Sequence, residues 1–269
     1  MAAWCLCCRK DNMKAFHDTF EISLLRLKRR MLTRPIRRGL LRVPGLPHAV
    51  ARSLDDIRFV EPDVIRFILN VVKPGWVCVD VGAHCGTIAF RMAQKVGAAG
   101  RVHAVEPIPD NRTLLEARLR VEGLTGRCEI HPIAIGAGDC TVQMLRGDHS
   151  TTWHFTSDAG ATSAEVRTVE CRTFDALFAS LPRIDLVKVD IEGAEVGLVA
   201  GATEVIAKVR PIWLFEMHGS AEWRICQKFL ENSYRIFDIS GQELADPDFE
   251  TRGYGHIVAC PGEKADGLL

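Results

Sequence analysis

The sequence predicts an α/β fold: a mostly parallel seven-stranded sheet, helices on both faces, and an antiparallel edge strand. Short apolar runs alternate with helical patterns along most of the chain. These runs are apolar at consecutive positions, as strands are when helices cover both sides of a parallel sheet. The third observation is Val77-Cys-Val-Asp-Val-Gly-Ala-His-Cys-Gly86, a strand that stops near an acid and turns through glycines into a helix. Such a unit sets backbone N–H groups and a helix N-terminus beside the strand's C-terminal end.

The elements follow in order. Residues 62–72 read as a helix with proline in its first turn, and Lys73-Pro74-Gly75 stops it. Strands are expected near 77–81, 101–106, 128–135, 184–190 and 211–217. Helical patterns fill 87–96, 109–122, 194–207 and 221–231. Late strands at 234–239 and 255–260 have no clear helix between them, which predicts a hairpin-like antiparallel addition at the sheet edge. Residues 139–173 break the rhythm with β-like pieces around the polar loop Asp148–His154. A substrate lid and a surface hairpin both fit that insertion.

The chain has 269 residues and a formal net charge of zero, but the charge is unevenly placed. Residues 1–60 carry 13 Lys/Arg and 5 Asp/Glu, a balance of +8, and the remainder carries 21 and 29, a balance of −8. The expected organisation is a basic, partly helical extension over 1–60 and one α/β domain over 61–269. The segment Phe20–Leu32 mixes apolar and basic residues at helical spacing. It fits either a helix lying on an anionic membrane, with peripheral contact through residues 14–42, or a solvated or oligomer-packing helix. No apolar run reaches the length of a transmembrane helix and no secretory signal is evident. The ten cysteines suggest no disulfide framework. Cys5, Cys7 and Cys8 cluster without completing a zinc site. A cytoplasmic protein, with the membrane surface as an available docking place, is expected.

The residues also bear on the cofactor. Gly82-Ala-His-Cys-Gly86 lacks the GxGxxG spacing of dinucleotide sites, and no P-loop Gly-Lys-Ser/Thr occurs. Glu106, at the tip of the second strand, is placed to accept hydrogen bonds from ribose hydroxyls. A nucleoside cofactor without phosphate, S-adenosylmethionine, fits best. Asp80 would face its cationic side, and the amides around Gly82, Ala83 and Gly86 would hold its methionine end. The fourth and fifth strands end in Asp190-Ile-Glu-Gly-Ala-Glu195 and Glu216-Met-His218. In an open α/β sheet these ends converge on the ligand crevice. Asp190, Glu216 and His218 are candidate catalytic residues. Glu192 and Glu195 fit helix N-terminal stabilisation equally well, and Asp190, Glu192 and Glu195 could together hold Mg²⁺.

With these motifs in hand, the chain resembles the FkbM-type family of S-adenosylmethionine-dependent methyltransferases. The resemblance rests on Asp80–Gly86, Gly100–Pro107, Ala134-Ile-Gly136, Thr173–Leu177, Val187–Glu195 and Arg210–Glu216, in the family's order over about residues 70–220. It implies a Rossmann-like class I methyltransferase fold and methyl transfer to a hydroxyl of a sugar, glycolipid or polyketide-type acceptor. It also implies that Asp80, Gly82, Gly86 and Glu106 bind the cofactor, that Ala134 lies near its adenine, and that Asp190–Glu195 and Glu216 face the acceptor. His84 and Cys85 depart from the family, which commonly has Asn and an aliphatic residue there. Two rivals from other classes are a nicotinamide-dependent oxidoreductase and a non-catalytic scaffold docking through its basic end. A nucleic-acid substrate is not expected, because the catalytic half is acidic and lacks the Asp/Asn-Pro-Pro-aromatic motif.

Overall fold

The computed structural model describes residues 62–146, 153–156, 165–244 and 253–267. The chain divides into two units, 1–54 and 55–269, and every described residue belongs to the second. The expectations for the basic extension, its residues 14–42 and Cys5, Cys7 and Cys8 lie outside the described residues. So does most of the polar loop Asp148–His154.

The chain enters through α1 (Pro62–Val71), which buries Val64, Ile65, Phe67, Ile68 and Val71 on one face. Then come β1 (Val77–Val81), α2 (Thr87–Val96), β2 (Arg101–Val105), α3 (Pro109–Val121) and β3 (Cys128–His131). After an insertion follow α4 (Phe174–Phe178), β8 (Leu186–Val189), α5 (Glu195–Ala200) and β9 (Ile212–Met217). The domain closes with α6 (Ile225–Glu231), β10 (Tyr234–Asp238), β11 (Gly255–Pro261) and α7 (Gly262–Ala265).

The main sheet has seven strands in the order β10-β11-β9-β8-β1-β2-β3. β3, β2, β1, β8 and β9 run parallel, and β11 runs antiparallel to both β9 and β10. The antiparallel strand therefore sits one place in from the rim, between β9 and β10, and β10 is the outermost strand. Alternate residues serve two cores. Cys78, Val102, Ala104, Leu186, Leu214 and Val258 pack with α1 and α2, while Val79, Val105, Val187, Trp213, Phe215 and Ala259 pack with α4, α5 and α6. Both faces being covered is the reason the strands read as continuously apolar.

Two expected elements are divided. The strand expected over 128–135 becomes β3 in the main sheet and β4 (Ala134–Ile135) in a second one. Pro132 stands between them and has no N–H to continue a ladder. The helix expected over 194–207 stops at Ala200 and resumes as a π-helical turn, Val205–Val209. At Gly201 an added Cβ would lie 2.4 Å from Gly136 O. The carboxylate of Asp175 accepts from the N–H groups of Glu204 (2.8 Å) and Val205 (2.9 Å), which caps the second segment from a distant helix.

The insertion forms the second sheet, in the order β4-β7-β5-β6, with β5 (Cys140–Arg146), β6 (Trp153–Thr156) and β7 (Val166–Arg172). Trp153, Met144 and Val169 pack on Ile108, two residues beyond Glu106. The insertion is thus seated against the turn that follows β2.

Candidate active site

The C-terminal ends of β1, β2, β8 and β9 lie side by side, and the sequence motifs sit on these ends. Gly82 has φ +76°, and a Cβ there would lie 1.8 Å from the carbonyl oxygen of Asp190. Only glycine lets the first loop pass the end of β8 at that distance. Gly86 has φ +81° and begins α2, with Leu115 filling the space a side chain would need. His84 also has positive φ, 51°.

Glu106 is buried and ties the loops together. Its Oε2 accepts from His84 N at 2.8 Å, and its Oε1 accepts from Ile108 N at 2.8 Å and Asn111 Nδ2 at 3.2 Å. Burial raises its carboxyl above the ordinary range, against the pull of these donors. A carboxylate offers about four acceptor sites. Three are used, so room for one further donor remains, on Oε2.

The loop amides are mostly committed as well. Gly82 N and Ala83 N donate to Val105 O, His84 N to Glu106, and Gly86 N to Ala83 O. Their hydrogen bonds fix the loop's shape. Ala134 is buried in β4, paired with Cys171. His84 and Cys85 influence each other strongly. Burial opposes charge on both, but their mutual interaction outweighs it, bringing His84 up to about 9 and Cys85 down to about 7.

Below the loop lies a charge network that the sequence pattern does not predict. Lys188 points from the middle of β8 between Asp80, its register partner on β1, and Asp190. Its Nζ lies 3.1 Å from Asp190 Oδ2 and 3.9 Å from Asp80 Oδ1. Asp80 is fully buried. Burial alone would raise the Asp190 carboxyl, but the Lys188 ammonium more than offsets it, with His218 and His84 adding to the effect. Asp190 is thus held ionised. The stability from its lowered pKa is present above the ordinary aspartate range and is lost as pH falls through the lowered value. Replacing Lys188 by Met keeps the volume and takes the ammonium away from the buried Asp80 and the half-buried Asp190. Thermal and urea unfolding are expected to show a loss of about 3 kcal/mol.

His218, just past β9, is ringed by carboxylates. Its Nε2 lies 3.7 Å from Asp190 Oδ1, 3.6 Å from Glu192 Oε2 and 3.7 Å from Glu216 Oε1. Its Nδ1 lies 3.8 Å from Glu195 Oε1 and 3.9 Å from Glu222 Oε2. Glu222 also accepts from His218 N at 2.5 Å, which anchors the backbone. Glu195 is fully buried, and burial raises its carboxyl. Its Oε1 accepts from Ile191 N at 3.0 Å and so shapes the turn before its own helix. Glu192 and Gly193 adopt φ 54° and 97° in that turn. A glutamate there costs about 1–2 kcal/mol, and strain of this kind collects at working sites.

The predicted candidates Asp190, Glu192, Glu195, Glu216 and His218 are therefore brought together. Lys188, Glu222, Tyr254 and His256 complete the surroundings and carry no local sequence signal for this role. Tyr254 Oη donates to Glu216 Oε1 at 2.5 Å, and His256 Nε2 lies 3.9 Å from Glu216 Oε2. Among the described residues the metal-competent groupings here are Asp190–Glu216–His218 and Glu195–His218–Glu222. The expected set Asp190–Glu192–Glu195 is not among them.

A glycine loop and a buried acid at the ends of β1 and β2 thus lie beside an acid–histidine cluster at the ends of β8 and β9, on a sheet covered by helices on both faces. The methyltransferase FkbM domain matches residues 80–239, and the chain belongs to that family of S-adenosylmethionine-dependent methyltransferases. It is 28% identical over 170 residues to the 2-O-methyltransferase NoeI of Sinorhizobium fredii, covering 56% of this chain and 67% of that protein. It is 26% identical over 201 residues to the hexuronic acid methyltransferase AglP of Haloferax volcanii, covering 67% of this chain and 72% of that protein. Among solved structures, a methyltransferase FkbM from Methylobacillus flagellatus aligns with TM-score 0.48 and 16% identity, over 83% of this chain and 56% of that one. Among the described residues no helix is long and apolar enough to cross a membrane.

Proposed function

We propose that the protein transfers a methyl group to a hydroxyl of a sugar-type acceptor, with His218 as the general base. The carrying observation is the ring of carboxylates around His218 at the ends of β8 and β9, directly beside the Gly82–Gly86 loop. S-adenosylmethionine, when bound, supplies the activated methyl; the protein aligns the acceptor and takes up its proton. His218 Nδ1 is buried on the side of Glu195 and Glu222, and Nε2 is the nitrogen we assign to the acceptor. Asp190, kept ionised by Lys188, stabilises the imidazolium that forms, and Glu216 is held by Tyr254. Asp80 acts through Lys188. Glu106 takes a ribose hydroxyl on the acceptor site left on Oε2, and the Gly82–Gly86 backbone receives the methionine end by shape. Ala134 is assigned to the adenine side.

The names of the two curated relatives support a sugar-type hydroxyl and suggest uronic acids among the first acceptors to try. Incubation with methyl-labelled cofactor and a panel of hexuronic-acid and amino-sugar oligosaccharides should label an oxygen of one of them. Label on nitrogen or carbon, or none in any acceptor despite bound cofactor, would overturn the oxygen assignment. A second reading has Asp190, Glu216 and His218 share a divalent cation that lowers the acceptor hydroxyl's pKa, since their ligand atoms already lie within 4.8 Å of one another. Activity that disappears in EDTA and returns with Mg²⁺ would favour it.

A further inference from the structure

We propose that His103, Glu129 and His131 form a second, independent site that binds a first-row transition metal of the Zn²⁺ type. It lies on the β2–β3 rim of the sheet, away from the carboxylate ring.

The three residues share one sheet face. His103 is the register partner of Glu129, and His131 follows two residues later on β3. His103 Nδ1 lies 3.1 Å from His131 Nε2 and 3.6 Å from Glu129 Oε2. One ligand atom from each of the three falls within 4.8 Å of the others. A tetrahedral Zn²⁺ with bonds of about 2.0–2.1 Å holds its ligand atoms roughly 3.3 Å apart. Two of the three separations bracket that value and the third lies within 4.8 Å, so side-chain rotations close the site.

The surroundings are those of a held site. Phe178 of α4 meets both imidazoles edge-on, with centroids 5.6 Å from His103 and 5.4 Å from His131. Strand pairing fixes the backbones, and Glu106 N donates to His131 O at 3.1 Å on the same rim. The Glu129 side chain is 57% exposed, which leaves a fourth position open to water. Two nitrogens and one oxygen suit Zn²⁺, Co²⁺ or Ni²⁺ and not Mg²⁺ or Ca²⁺, which take oxygen ligands. A metal here would clamp β2 to the rim strand immediately below Glu106.

The test is a Co²⁺ titration of the metal-stripped full chain, followed by visible absorption, alongside His131→Ala, Glu129→Gln and His218→Ala. The wild type should bind one more equivalent than His131→Ala, with absorption of a nitrogen–oxygen site. Glu129→Gln, at the exposed rim, should keep the fold and weaken that equivalent at least tenfold. His218→Ala should retain it. Zn²⁺ should compete for the site and raise the melting temperature of the wild type but not of His131→Ala. Equal stoichiometry in wild type and His131→Ala, loss of the equivalent in His218→Ala, or absorption showing only thiolate ligation would each overturn the proposal.

Discussion

Replacing His218 by Asn is expected to slow methyl transfer about 10³-fold, the usual scale of a positioned general base, with S-adenosylhomocysteine affinity within about twofold of wild type. The expectation follows from position. His218 lies past the end of β9, where its Nε2 meets Asp190, Glu192 and Glu216. The loop that would receive the cofactor is fixed by other groups, Val105 O and Glu106. Asp190→Asn should lower turnover through the same unit, because an amide cannot stabilise the imidazolium as a carboxylate does. The double variant should be scarcely worse than the poorer single one, since residues acting as a unit are not additive. Single-turnover rates at saturating cofactor, with the acceptor found by the labelling screen, measure this. A full rate in either single variant would remove that residue from the chemistry.

The second large effect is at Gly82. An alanine Cβ would sit 1.8 Å from Asp190 O, a backbone atom that cannot turn aside, and φ is +76°. Overpacking costs about 1–3 kcal/mol, and the left-handed conformation adds about 1–2. Gly82→Ala should therefore lose about 4 kcal/mol and melt roughly 10 °C lower, using about 2–4 °C per kcal/mol for a domain of this size. It should also lose cofactor binding, because relief of the clash must part the β1 loop from the β8 end. Gly138→Ala is the control, with nothing within 4 Å of its added Cβ. Equal melting temperatures for the two variants would refute the close approach.

Local pattern made part of this legible and long-range contact hid the rest. The strand over 77–81 and helix over 87–96 are set by a short apolar run, glycines and a 3.6-residue period, and both appear with those bounds. Glu106 and the acid–histidine ends of β8 and β9 were readable because strand ends in such a sheet converge. The division of 194–207 was not readable, because Asp175 caps the second piece from a helix some thirty residues earlier. Lys188 reads as one polar residue in an apolar strand until β1 brings Asp80 beside it. Tyr254 and His256 enter only because β11 inserts antiparallel next to β9, which pairs His256 with Glu216. The bond from Ile191 N to Glu195 Oε1 arises with the positive-φ turn at Glu192 and Gly193, which no local pattern marks.

Calorimetric titration of S-adenosylhomocysteine into the full chain and into Glu106→Gln decides whether the ends of β1 and β2 hold the cofactor. Glutamine keeps the size of the side chain but replaces one acceptor oxygen with a donor. If the amide nitrogen takes the place of Oε2, the His84 N contact and the ribose-accepting site are both lost; if it takes the place of Oε1, the Ile108 N and Asn111 contacts that hold the carboxyl are lost. Saturable one-to-one binding by the wild type is expected, with affinity at least tenfold weaker in the variant. A folded wild-type protein that binds no S-adenosylhomocysteine would contradict the cofactor assignment.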